Sequence, residues 1–287
     1  MRTIFITGGT GFIGTALTQK LLNNGFKIKS LTRAPKQTFN HPNLYYVDAQ
    51  LSTDLLAQEM QGSDGVIHLA TYYCAQHSSQ DIETLINSNL LLSTKVAEAS
   101  KLSKVKWFVN VGTFWQYANS ESYAPANLYA ATKEAFESVL KYYEKFYSIT
   151  NVKLNDTYGP SDSRPKIFNL WKNLVNESKS LDMSAGEQYV DFTHIDDITN
   201  AFFVLVNLLQ TKHQKHHGIT YGICTMNRVT LKQLAQIFEN VSQKKLNINW
   251  GVKPYRENEI MNPWTPEHFI PGWKPKVSLE QGILSIL

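Results

Sequence analysis

Apolar residues follow two alternating textures along the first half of the chain. Short runs rich in Val, Ile, Phe, Tyr and Thr occur at Thr3–Thr7, Ile28–Thr32, Leu44–Val47, Val66–Leu69, Trp107–Val111 and Val152–Leu154, and they read as strands. Between several of them lie stretches with apolar positions at helical spacing, notably Phe12–Asn23, Ile82–Lys101 and Leu128–Phe146. Continuous apolar strands separated by helices predict a parallel sheet covered on both faces. The handedness of crossover connections then makes the fold a doubly wound α/β sheet. After Gly159-Pro160 the texture changes: Pro and Gly recur, helices shorten, and strands appear singly, as at Ile219–Ile223 and Leu246–Ile248. This predicts a first domain over residues 1–160 and a smaller C-terminal lobe over 161–287. The helix Asp196–Leu209 is a candidate to return and pack on the sheet.

Composition narrows the function classes. The chain has 287 residues, 43% of them hydrophobic, enough for one large domain or two small ones. Its formal charge of +4 suits an enzyme that handles anionic ligands, and no Lys/Arg block supports nucleic-acid binding. The apolar segment Ala201–Leu209 is too short to span a bilayer, and the N-terminus lacks the long apolar core of a signal peptide. Cys74 and Cys224 stand outside any CxxC pair and read as free thiols. The expected compartment is the cytoplasm. The His-rich connector Lys212–Gly218 has no carboxylate or thiolate nearby to complete a ligand set, so no metal site is expected.

The chemistry begins at ITGGTGFIGTAL, where Gly8, Gly11 and Gly14 lie between a strand and a helix. Gly8 permits the tight turn, Gly11 lets the backbone approach a pyrophosphate, and Gly14 lets the helix pack closely on the sheet. The helix N-terminus adds N–H donors and a positive dipole end. In this strand–turn–helix context the pattern predicts a dinucleotide-binding Rossmann domain, with Thr10, Phe12 and Ile13 also lining the cofactor. The second strand ends at Thr32-Arg33, and no Asp or Glu lies between Lys27 and Lys36. An acidic residue there suits the ribose of NAD, whereas arginine suits the 2′-phosphate of NADP. Arg33, with Lys36 nearby, therefore favours NADP(H) over NAD(H).

Further on, YAATK places Tyr129 and Lys133 at i and i+4, on one face of a helix. A nearby ammonium favours a phenolate and is expected to lower the tyrosine pKa towards neutrality. Thr113, in WFVNVGTFWQY, offers a hydroxyl at the end of a strand. With these residues together the chain resembles the extended short-chain dehydrogenase/reductases, the group of nucleotide-sugar epimerases, dehydratases and reductases. GGTGFIG, His68–Ala70, Asn89, Tyr158–Pro160, DFTHIDD at Asp191–Asp197 and GWKPKVSLEQGI all match the family in order.

The resemblance implies roles position by position. Thr113 would orient the substrate carbonyl or alcohol, Tyr129 would exchange its proton, and Lys133 would hold the nicotinamide ribose and tune Tyr129. Asp48 and Ala49 would lie near the adenine, and Leu69, Ala70, Thr71 and Asn89 would line the cofactor. His68 and His194 are expected to be structural. Two positions depart from the family: Asp156 stands where asparagine is frequent, and Val190 where arginine commonly binds substrate phosphates. Arg256 would then carry the phosphate contact alone.

The stretches GTFWQY, NLYAATK and YGPSDSRPKIFNL are most similar to nucleotide-sugar 4-ketoreductases of the abequose and paratose synthase type. In that setting Tyr72, Tyr73, Trp115 and Gln116 would form the sugar pocket, although packing at its rim would place the same residues there.

Three readings follow: an NADPH-dependent keto-sugar reductase, an epimerase or dehydratase with bound NAD, and a cofactor sensor without catalysis. Retention of Thr113, Tyr129 and Lys133 argues against a sensor. Phe114-Trp115 stands where the family's dehydratases carry an Asp-Glu pair, which argues against a dehydratase. The resemblance also implies a homodimer formed through the two long helices.

One expectation tests the cofactor reading directly. NADPH should bind more tightly than NADH, and Arg33→Asp should narrow or reverse that preference. Dissociation constants for both dinucleotides with both proteins check this; equal affinities in the parent would contradict it.

Overall fold

The computed structural model describes residues 2–33, 40–177 and 179–287; Lys36 lies outside the described residues. Its centre is a sheet of eight strands. These are β1 (Thr3–Thr7), β2 (Lys27–Thr32), β3 (Leu44–Asp48), β4 (Gly65–His68), β5 (Trp107–Thr113), β6 (Ser148–Leu154), β7 (Thr220–Ile223) and β8 (His268–Phe269). They lie in the order β8-β7-β6-β5-β4-β1-β2-β3, and every pairing is parallel. The order reverses direction beside β1, which puts a crevice at the carboxyl ends of β1 and β4, the usual ligand position in such sheets.

Both faces are buried, for the reason the apolar runs suggested. In β1, Ile4 and Ile6 point into one core while Phe5 points into the other. The first core is closed by α1 (Phe12–Asn23) and α5 (Ile195–Lys212), which lie against each other. The second is closed by α2 (Thr53–Met60), by α3, and by α4 (Leu128–Leu140). Helix α3 runs from Ile82–Ile86 through a π turn at Asn87–Leu91 to Leu92–Leu102. The doubly wound α/β fold read from the sequence is the fold of the protein.

The chain leaves the sheet near Tyr158 and builds a third core from Tyr158, Phe168, Trp171, Phe192, Leu234 and Phe238. It then returns twice, first through α5 and β7 and again at β8. Helix α5 is the predicted return helix, longer at both ends than its apolar stretch. His194 caps it by accepting from the Asp196 N–H, and Asp196 and Asp197 occupy the first turn, where carboxylates complement the helix dipole. The Asp197 carboxylate also accepts from the N–H groups of Lys276 (3.0 Å) and Val277 (2.9 Å), while the Trp273 indole donates to the Asp197 carbonyl.

Several element bounds differ from the sequence expectation, three of them instructively. Strand β6 begins at Ser148, four residues early, because Ser148 and Thr150 are buried within the ladder to β5 despite their hydroxyls. The helix expected to reach Phe146 ends at Leu140 and tightens into a 3₁₀ turn at Lys141–Tyr143. The strand expected at Leu246–Ile248 lies instead at Ile248–Trp250, paired with Leu181–Met183. Among the described residues no helix is long and apolar enough to cross a membrane.

Because α5 belongs to the core of the sheet, truncation there should weaken the whole fold. Phe202→Ala, at a fully buried position, should cost about 3–5 kcal/mol and leave a single cooperative transition. Urea unfolding followed by circular dichroism reads both. A separate early transition of the C-terminal lobe would contradict it.

Candidate active site

At the carboxyl end of β1 the chain turns sharply into α1. Gly8 has φ of +71°, and a side chain there would also meet the Ala70 backbone nitrogen at 2.7 Å. A Cβ on Gly14 would collide with the Gly8 carbonyl oxygen and the Gly9 Cα. Only hydrogen fits at either place, so the first turn of α1 rests directly on the turn before it. Gly11 is the N-cap residue and has no side chain with which to cap the helix. The first amides of α1 are thus left for a ligand.

These residues floor a cleft of about 450 Å³. Thr10, Gly11, Phe12 and Ile13 line it beside the glycine turn, with Thr32, Arg33 and Ala49 from the next strand ends. Leu69, Ala70 and Thr71 follow β4, and Thr113, Trp115, Tyr129 and Asp156 close the far end. A second cleft of about 290 Å³ meets the first at Phe114, Trp115 and Asp156, and is bounded by Gln188–Val190 and Arg256.

Five of the residues expected at the ligands lie outside both linings. Asp48 is exposed and accepts from the Gln50 N–H, one residue before Ala49 reaches the cleft. Asn89 is fully buried: its oxygen accepts from the Thr71 hydroxyl (3.0 Å) and the Tyr72 N–H (2.8 Å), and its nitrogen donates to the Tyr72 carbonyl and the Thr132 hydroxyl. It therefore shapes the wall from behind. Tyr72 points away and donates to Asp81. Gln116 corrects the sugar-pocket expectation most clearly. It is 0% exposed, its oxygen accepts from the Thr113 N–H (3.0 Å), and its nitrogen donates to Glu134 and Glu137. Lys133, 1% exposed, lies one helical turn beyond Tyr129 on the buried face of α4.

The reactive end is built on two caps. Asn127 accepts from the Ala130 N–H and starts α4 so that Tyr129 stands in its first turn. Thr113 caps the 3₁₀ turn Phe114–Gln116, its hydroxyl oxygen accepting from the Trp115 N–H at 3.3 Å. Tyr129 packs edge-on against Tyr73, ring centres 5.3 Å apart, with Trp115 at 6.5 Å. Burial pushes the Tyr129 phenol up to about 12, against a hydrogen bond with Thr71 and the Arg164 charge, which pull it down. The expectation of a lowered tyrosine pKa is thereby reversed, since loss of solvation penalises the phenolate. Burial likewise brings Lys133 down to about 8, opposed by Glu137 and reinforced by Lys153.

The sequence reading passed over Arg164 and Lys166. Arg164 stacks over the Phe12 ring at 4.4 Å, held by the Asp162 carboxylate and the Thr157 oxygens. Lys166 lies over the Tyr73 ring at 5.6 Å. Their charges, with that of Arg256, oppose the upward push of burial on the Asp156 carboxyl. The alternation Asp162-x-Arg164-x-Lys166 was the available signal. His68 is buried between the hydroxyls of Thr7 and Ser93, each at 2.8 Å, and stays neutral because burial holds it well below its usual pKa.

The residues fit a nicotinamide dinucleotide: a turn without side chains, uncapped helix amides, an arginine at the second strand end and a buried ammonium near the reactive tyrosine. The model of the NAD-dependent epimerase/dehydratase family matches residues 4–224, from β1 through β7. The chain belongs to that family.

Its relatives there include a CDP-abequose synthase of Yersinia pseudotuberculosis, 28% identical over 91% of each chain. Another, from Salmonella muenchen, is 25% identical over 100% of this chain and 97% of its own length. Among solved structures, the UDP-glucuronic acid 4-epimerase of Bacillus cereus, in complex with UDP-glucuronic acid and NAD, superposes with a TM-score of 0.86. It is 23% identical and covers 99% of this chain and 97% of that one, which shows the shared fold. The protein is an enzyme of the extended short-chain dehydrogenase/reductase type.

Proposed function

We propose that the enzyme reduces a keto group of a nucleotide-activated deoxysugar to a hydroxyl, the 4-keto group above all, using NADPH. The observation that carries this reading is that Thr113 and Tyr129 both line the far end of the first cleft, beside Trp115 and Asp156 where the second cleft meets it, and that the residues after Thr113, Phe114 and Trp115, transfer no protons. The full-length CDP-abequose synthase relatives support a role in making bacterial polysaccharide sugars. Arg33 in the lining of the cofactor cleft supports NADPH over NADH.

When bound, the dinucleotide supplies the hydride. The Thr113 hydroxyl holds the carbonyl oxygen as negative charge grows on it, and Tyr129 gives that oxygen its proton. A phenol kept protonated by burial suits this direction of the reaction. Lys133, one helical turn beyond Tyr129, would hold the nicotinamide ribose of the bound dinucleotide. Arg256 takes the phosphates in the second cleft, where Val190 stands in place of the expected arginine. Tyr73 and Trp115 form an apolar wall for a deoxysugar, with Asp156 as its polar contact.

The enzyme acts in the cytoplasm as a homodimer. Exposed Ile86, Leu91 and Leu102 of α3, with Tyr142 and Phe146 after α4, support pairing through those helices.

A second reading, an epimerase or dehydratase that returns the hydride to the same sugar, draws on Asp156. Burial disfavours ionisation of this carboxyl at the junction of the clefts, which would let it carry a proton.

The test is to supply a 4-keto-6-deoxy or 4-keto-3,6-dideoxy nucleotide sugar with NADPH and to follow absorbance and product together. One NADPH oxidised per product is expected; product without net oxidation would move the enzyme to the epimerase class. In the same assay Tyr129→Phe should lower turnover by on the order of 10² to 10⁴ with cofactor affinity little changed. An active Tyr129→Phe enzyme would show that another group donates the proton.

A further inference from the structure

Beneath the active site lies a cluster of charges that the reaction itself does not use. Lys153, at the end of β6, is completely buried. Its ammonium donates to the Glu137 carboxylate at 2.6 Å and lies 3.8 Å from Glu134. Gln116 donates to both carboxylates and accepts from the Thr113 N–H. A Cβ on Gly112 would collide with the Gln116 oxygen and meet Glu137 at 3.0 Å, so β5 has been left bare where the cluster crosses it.

A buried ion pair seldom adds net stability over apolar packing, which makes a structural purpose alone a weak account of this one. Its position suggests another. Glu134 and Glu137 are on α4, one and four residues after Lys133, which puts Glu137 one turn from it. The charges that act on Lys133 come from Glu137 on α4 itself and from Lys153 on β6, and His68 of β4 feels the Lys133 charge in turn. Tyr129 precedes Lys133 by one turn of α4, and Glu134 follows it, 3.8 Å from Lys153. With His68 and Tyr129 neutral, two ammonium ions are balanced by two carboxylates.

We propose that Glu137 and Lys153 are positioning residues for cofactor binding, which act by exerting opposed charges on Lys133. Burial does most to lower the pH above which Lys133 lets go of its proton; Glu137 favours the ammonium form and Lys153 opposes it, so their ion pair adjusts that pH. This rests on the reading above that Lys133 holds the nicotinamide ribose.

The experiment follows NADPH affinity by fluorescence titration from pH 6 to 10, which needs no sugar substrate. The parent should lose affinity along an alkaline limb that is absent in Lys133→Met. Glu137→Gln should move that limb to lower pH and Lys153→Met to higher pH, each by about one unit or more. Opposite displacements are the signature, because mere damage to the fold would move both variants the same way. Either single change leaves a buried charge without its partner. If one fails to fold, the charge swap Glu137→Lys with Lys153→Glu keeps a pair and should move the limb to lower pH. Limbs unmoved by the substitutions, or moved in the same direction by both single ones, would overturn the inference. A limb that survives in Lys133→Met would overturn the reading of Lys133 instead, and this inference with it.

Discussion

A helix can come this close to a sheet only where neither carries a side chain, and the contact between Gly14 and the Gly8 carbonyl meets that condition. It sets the depth of the first cleft and aims the uncapped amides of α1 across it. Once α1 is seated, Leu17 and Leu21 share one core with Phe202 and Leu205 of the returning helix, which lies against α1, so the same contact also bears on where α5 lies. The remote lobe is registered through α5 in turn, since Asp197 binds the backbone at Lys276 and Val277. A backbone contact at one turn thus sets both the binding floor and the position of the wall facing it.

Much of this could be read from residue order. A parallel sheet buried on both faces leaves runs such as Ile4-Phe5-Ile6 that alternate only between two cores, never between core and water. The glycine turn carries its own explanation, and Tyr129 and Lys133 declare a common face by spacing. What stayed illegible has a common physical origin: polar groups satisfied inside the protein. Ser148 and Thr150 look like a loop until the ladder to β5 buries them. Gln116 reads as a sugar ligand until Glu134 and Glu137 arrive from a helix some twenty residues later to occupy its amide. Asn89 was expected beside the cofactor and instead sits within a π turn, a kind of irregularity that apolar periodicity does not announce.

The ionisation of Tyr129 shows the same limit from the side of energetics. Spacing placed an ammonium one turn away, and an ammonium alone would lower the phenol's pKa. Burial acts on both groups and opposes both charged forms, so a pair that looks activated on a helical wheel is held neutral at the tyrosine. The distinction matters for direction of reaction, because a proton donor and a proton acceptor are the same residue in two environments.

Asn89 also has a mechanical meaning. Its four hydrogen bonds join the segment after β4 to α4 through Thr132, whose hydroxyl in turn donates to the Tyr129 carbonyl. The wall carrying Thr71 and the helix carrying Tyr129 are therefore one stiff piece, braced from behind. The opposite wall touches α1 where the Arg164 guanidinium lies on the Phe12 ring, a stacking contact that can slide without breaking a hydrogen bond. A ligand in the cleft lies between a wall cross-linked by hydrogen bonds behind the chemistry and a wall that carries the charge and meets α1 through stacking.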